Sequence, residues 1–182
     1  MDFEKVFAFL LTNFEKHNIR YALMGGLALH ASGYSRATED IDILILKEDM
    51  PKVKDFLLRL GYTPVHESED VSNFRGLLKE LGQIDFLHAH REYTKNMLKR
   101  ARDCAILEDK FRVKVLKPED LIGLKVQAGV NDPKRETREW ADIEHLLRLH
   151  KGKLDLGLIQ EYFALFGLQD KLHELLVKVD HA

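Results

Sequence analysis

Two aspartates open the most apolar strand of the chain, and a double glycine stands a short way before them. The segment reads Met24-Gly25-Gly26, thirteen further residues, then Asp40-Ile41-Asp42-Ile43-Leu44-Ile45. The second half of that run is apolar at every position, so it belongs in a sheet covered on both faces. Residues two apart in a strand share a face, which puts Asp40 and Asp42 side by side with Cα atoms ~6.5–7 Å apart. Two like charges beside a buried strand are costly unless a cation or hydrogen bonds compensate them. Mg²⁺ is a suitable compensation, because it takes carboxylate oxygens together with phosphate oxygens. Gly25-Gly26 supplies a complementary feature. A glycine pair lets the backbone approach a phosphate closely, and the helix that follows turns its N-terminus toward an anion.

The rest of the chain sets limits around this segment. Its 182 residues are enough for one sizeable core with a helical appendage, and 45% apolar with 32% charged residues is a globular composition. A net charge of −2 argues against broad, non-specific nucleic-acid binding and leaves room for a local basic patch. A single cysteine, Cys104, excludes an internal disulfide framework. The start, Met1-Asp2-Phe3-Glu4-Lys5, reads as an amphipathic helix instead of a basic and then apolar leader, and no apolar run approaches the ~20 residues that span a bilayer. The expected location is the cytoplasm, with no membrane partner.

Periodicity gives the elements. Phe3, Val6, Phe7, Leu10, Leu11 and Phe14 fall at helical spacing and predict a helix over 2–17. A strand over 20–24 leads to Gly25-Gly26, a helix over 27–32, a loop over 33–39 and the strand over 40–47. Asp49 is the expected N-cap of a helix that Gly61 stops. Strands are expected over 62–66, 72–79 and 83–87, a helix over 92–100, and a hairpin from 103–107 and 111–116. Pro118 opens a helix through Ala128 that Gly129 stops. Further helices are expected over 133–150, 156–166 and 168–179. Strands therefore dominate the first two thirds and helices the last third. This is an α/β (α+β) pattern: a mixed sheet flanked by helices over 1–117, with a helical C-terminal subdomain over 118–182 packed on it.

The order strand, Gly-Gly, helix, Asp-x-Asp strand and a later strand with one aspartate resembles the nucleotidyltransferase superfamily, the DNA polymerase β-like fold. The fuller string Gly25-Gly26-x-Ala28-Leu29 … Arg36-x-Thr38-x-Asp40-Ile41-Asp42 is similar to the AbiEii-type branch, whose namesakes are toxins of bacterial toxin–antitoxin pairs. Lys125 with Ala128 and Asp142-Ile143 match short later motifs of that branch, so the resemblance covers residues 20–150. It implies transfer of a nucleoside monophosphate from a triphosphate to a hydroxyl acceptor, with loss of pyrophosphate and two Mg²⁺ ions, or Mn²⁺ in their place. It further implies Asp40 and Asp42 as shared metal ligands. Asp85 would be the third, placed on a neighbouring strand to orient or deprotonate the acceptor. Gly25 and Gly26 would cradle the β- and γ-phosphates, with Lys125 neutralising phosphate charge. Arg36 and Thr38 would contact phosphate or brace Asp40, and Asp142 would receive the acceptor or hold Lys125. The implied partners are a nucleoside triphosphate, an acceptor that is RNA, protein or a small molecule, and a cognate antitoxin. At 182 residues the chain is short for the toxin branch, so a trimmed C-terminal substrate region is expected.

Each residue also has a plainer reading. Asp40, Asp42 and Asp85 are then solvated strand ends, Lys125 an ordinary surface lysine, and Asp142 the partner of Arg138 four residues earlier. A non-catalytic, nucleotide-binding regulatory module of the same fold is the alternative function. His88 and His90 read as polar surface, since no third ligand of zinc type accompanies them. Lys134, Arg135 and Arg138 alternate with Glu136 and Glu139. That pattern favours a solvated helix face over contact with a phosphate or an RNA end.

Overall fold

A computed structural model describes residues 1–34 and 37–180. Its contacts divide the chain into two compact units, one of Met1–Ala31 with Ser35–Leu116 and one of Ser32–Tyr34 with Lys117–Ala182.

The first unit is built on a seven-stranded sheet. Its strands are β1 (Tyr21–Met24), β2 (Asp40–Leu46), β3 (Tyr62–Glu67), β4 (Val71–Gly76), β5 (Gln83–Ala89), β6 (Arg102–Ile106) and β7 (Phe111–Val115). They lie in the order β3-β4-β5-β2-β1-β7-β6. The sheet is mixed: β2 runs parallel to β5 and β1 parallel to β7, while the other neighbours are antiparallel. Ile41, Ile43, Leu44 and Ile45 of β2 are fully buried, as an apolar central strand requires.

Four helices accompany the sheet in this unit. Helix α1 (Phe3–Lys16) is capped by Asp2, whose carboxylate accepts from the Lys5 amide at 3.1 Å, and it buries Val6, Phe7, Leu10 and Phe14. Helix α2 (Gly25–Ala31) follows β1 without a loop. Helix α3 (Met50–Leu60) ends at Gly61, whose φ of +93° supplies the left-handed turn. The expected Asp49 cap does not form: its carboxylate instead accepts from the Lys52 ammonium at 2.9 Å. Helix α4 (Glu92–Arg100) follows β5. Strand β4 ends at Gly76, short of the expected residue 79. Leu81 sits so close there that a Cβ on Gly76 would lie 2.2 Å from Leu81 Cβ, and Leu77 turns away to bond Gly61 O at 2.9 Å. Strand β5 runs on to Ala89, which draws His88 into the sheet. His88 is buried, with Nε2 3.0 Å from Ser72 Oγ and Nδ1 2.9 Å from Glu69 O, so it is not the surface residue expected.

The second unit contains α5 (Pro118–Asn131), α6 (Glu136–Leu149), α7 (Leu156–Ala164) and α8 (Gln169–Asp180). Gly129 does not stop α5. It is buried against α6, where a Cβ would lie 3.6 Å from Glu139 Cβ, and the helix continues to Asn131. Gly123 of the same helix faces the Tyr162 ring of α7, where a Cβ would come within 2.6 Å. The Tyr162 hydroxyl donates to the fully buried Asp120 carboxylate at 2.6 Å. No helix among the described residues is long and apolar enough to cross a membrane.

Candidate active site

Register gathers the acidic residues on one face of the central strands. Asp42 stands opposite Asp85 on β5 and opposite Met24 on β1, and Asp40 stands opposite Gln83. Asn73 of β4 stands opposite Asp85 in turn. Residues directly opposite in a ladder share a face. The face therefore carries Asp40, Asp42, Asp85, Asn73 and Gln83, all half-buried.

The aspartates have different environments. Asp85 is held by amides: Asn73 donates to Oδ1 at 2.6 Å, and Gln83 donates to Oδ1 at 2.9 Å and Oδ2 at 3.1 Å. Arg75 donates to Gln83 Oε1 at 3.0 Å and so orients that amide. Asp40 has a pKa above the usual carboxylate value. Burial is the main cause, followed by the charges of Asp85 and Glu39, with Arg75 opposing. Asp42 packs on the double glycine. A Cβ on Gly25 would lie 1.9 Å from Asp42 Oδ2, and Gly25 has a φ of +62°. Both facts require glycine at that position. Gly26 is pressed by Thr38, where a Cβ would meet Thr38 Cβ at 2.6 Å. The Thr38 hydroxyl donates to Asp40 O at 3.2 Å and so braces the start of β2. Arg36 lies outside the described residues.

Among the described residues no three histidine, cysteine, aspartate or glutamate side chains already form a ligand cluster. Amide donors occupy both oxygens of Asp85. The donor set is nonetheless all hard carboxylate oxygen, the type that suits Mg²⁺.

Lys125 and Asp142 meet in the second unit. Lys125 is buried, not a surface lysine, and its ammonium lies 2.6 Å from Asp142 Oδ2 and 2.7 Å from Glu139 Oε2. Glu139, at 1% exposure, is not part of a solvated face. Its Oε1 accepts from Arg135 at 2.8 Å and from Arg138 at 3.2 Å. Burial would raise the Glu139 carboxyl, but hydrogen bonds and charge from Lys125 and then Arg135 outweigh it and hold the group at about 2.

Sequence reasoning missed Asn73, Gln83 and Glu139 as partners. Gln83 alone had a signal, two residues before Asp85 on the same face. Asn73 comes from a different strand and is visible only through register.

The sequence matches, over residues 7–181, a family described as uncharacterised nucleotidyltransferases. The chain belongs to that family. It is accordingly an enzyme of the nucleotidyltransferase type. No curated protein matches the sequence. Solved structures share its fold. One is ANT(2'')-Ia in complex with adenylyl-2''-tobramycin, at 14% identity and a TM-score of 0.65, covering 90% of this chain and 98% of that one. A second is the lincosamide antibiotic adenylyltransferase LnuA, lincomycin-bound, at 19% identity and a TM-score of 0.53, covering 83% and 98%. A third is an antigenic nucleotidyltransferase-like protein from Paracoccidioides brasiliensis, at 20% identity and a TM-score of 0.58, covering 96% and 92%.

Proposed function

We propose that the protein transfers a nucleoside monophosphate from a nucleoside triphosphate to a hydroxyl group of a small molecule, releasing pyrophosphate. The observation that carries this reading is the pairing of Asp42 with Asp85, with Asp40 on the same face and Gly25 packed against Asp42. In this reading Asp85 takes the proton of the attacking hydroxyl, whose oxygen bonds to the α-phosphorus as the bond to the β-phosphate bridging oxygen breaks. Asn73 and Gln83 hold the Asp85 carboxylate in one orientation for that task. The backbone of Gly25 and Gly26 offers the close approach that the β- and γ-phosphates need. Thr38 fixes the start of β2 and so the spacing of Asp40 from the glycines.

Asp40, Asp42 and Asp85 are the residues that would hold Mg²⁺, or Mn²⁺ in its place. Two such ions would neutralise the triphosphate and polarise its α-phosphate. The raised pKa of Asp40 supports this assignment, because a carboxylate destabilised first by burial and then by like charge gains from a cation. Lys125, saturated by two carboxylates, serves to hold α5 and α6 together, and Asp142 holds Lys125.

A small acceptor is supported by the neighbours whose fold this chain shares over most of both lengths, ANT(2'')-Ia with its adenylylated tobramycin and LnuA with lincomycin. The AbiEii-type string of Gly25, Gly26, Ala28, Leu29, Arg36, Thr38, Asp40 and Asp42 supports a toxin-like branch, in which RNA or protein is modified and an antitoxin is the partner. Incubation with α-labelled nucleoside triphosphates, Mg²⁺ or Mn²⁺, and a panel of hydroxylated small molecules, RNA and protein separates these readings. Label on a small molecule supports the proposal. Label on RNA or protein moves the function to the toxin-like branch, and nucleotide binding with no transfer to any acceptor leaves the regulatory module.

A further inference from the structure

The far end of β2 carries a second site of different character. A cavity of about 130 Å³ lies there within the first unit, lined by Arg20, Leu46, Glu48, Lys95, Leu98 and Lys99. Leu46 ends β2, Arg20 directly precedes β1, and Lys95, Leu98 and Lys99 lie on α4. Leu46 is six residues along the strand from Asp40, a separation of about 20 Å at ~3.3 Å per residue, so the cavity is separate from the acidic face.

Its charge is opposite to that of the acidic face. Three cations and one carboxylate surround two leucines. Lys99 bonds Asn96 at 3.1 Å and lies 3.9 Å from Glu92, both on its own helix. Arg20 and Lys95 form no ion pair or side-chain hydrogen bond among the described residues. The intramolecular pairing common elsewhere on this surface, as in Lys47 with Glu69 or Lys54 with Glu67, is thus missing where two cations face a concave, partly apolar floor. Guanidinium and ammonium groups that converge on such a floor suit a compact anion with a short apolar body.

We propose that this cavity binds a small anion of the phosphomonoester type. Arg20 and Lys95 hold its phosphate, and Leu46 and Leu98 receive its apolar group. Glu48 limits the affinity by placing a like charge at the rim.

Phenyl phosphate, with inorganic phosphate for comparison, is the probe. Amide chemical shifts of the full chain are followed during titration, and affinities are compared in Arg20→Gln with Lys95→Gln and in Glu48→Gln. Arg20 and Glu48 are exposed and Lys95 is half-buried, so these variants should fold. The expected result is shifts centred on Arg20, Leu46 and Lys95–Lys99, with phenyl phosphate bound more tightly than phosphate. Affinity should fall about tenfold or more in the double variant and rise in Glu48→Gln. Shifts confined to the residues around Gly25 and Asp40, or an affinity unchanged in all variants, would overturn the proposal. Neither outcome depends on nucleotide transfer, so the test stands apart from the proposed reaction.

Discussion

At the scale of single residues, Gly25 is the most constrained position in the site. Alanine there combines a left-handed φ of +62° with a Cβ 1.9 Å from Asp42 Oδ2, so either the backbone or the aspartate must move. Gly25→Ala should cost about 1–3 kcal/mol in chemical denaturation and abolish transfer, because the displaced group is Asp42 itself. The sequence suggested glycine for its approach to phosphate. The structure adds a reason that pattern cannot supply, the contact of an aspartate with the glycine backbone. Asp40 gives a second prediction. Its pKa is raised by burial and by the charges of Asp85 and Glu39, so in the ligand-free protein its favourable contribution is present below the unfolded value of 3.8 and is lost as pH rises through the raised value. Asp40→Asn should therefore raise Tm slightly at pH 7 in the absence of cations and nucleotide. The difference should vanish in acid below the usual carboxylate range. A lower Tm at pH 7 would show that Asp40 is not under electrostatic strain.

At the scale of elements, the α5–α6 pair depends on one buried charge. Lys125→Met would leave Glu139 and Asp142 buried without their shared cation, which should cost about 3–5 kcal/mol in urea unfolding. The pH dependence follows from Glu139. Its folded pKa of about 2 lies below the ordinary 4.5, so the stability it contributes is fully present above 4.5 and is lost as pH falls from there toward 2. Acid unfolding monitored by Trp140 fluorescence on α6 should therefore begin below pH 4.5, and Glu139→Gln should flatten that limb. Helical spacing in the sequence marks Ile143 and Leu147 of α6 as core, and both are buried. The burial of Glu139 and Asp142 beside them cannot be read that way, because the lysine that completes the two acids comes from a different helix. The same limit explains Gly129: a glycine near a predicted helix end looks like a stop, but packing against Glu139 carries the helix past it. His88 is a third case, since the extra two residues of β5 that bury it arise from pairing with β2.

At the scale of the whole molecule, the existence of the strands was legible and their order was not. Alternation and turn residues mark seven strands, but the sequence β3-β4-β5-β2-β1-β7-β6 depends on the parallel pairing of β2 with β5, across an intervening helix and two strands. The resemblance placed Asp85 on a neighbouring strand; only the register puts it directly opposite Asp42 and shows Asn73 and Gln83 holding it. If that face binds a triphosphate with Mg²⁺, a hundredfold excess of nucleotide over its Kd should add about 2.7 kcal/mol, or roughly 5–11 °C in Tm for a protein of this size. The gain should require both nucleotide and Mg²⁺, and Asp42→Asn should remove it. The most direct test of the account is the rate of label transfer from an α-labelled triphosphate to the best acceptor, in the wild type, Asp42→Asn and Asp85→Asn, with folding verified by circular dichroism. The account predicts folded variants slowed by about 10²–10⁴-fold or more. Transfer at the wild-type rate in either folded variant would contradict it.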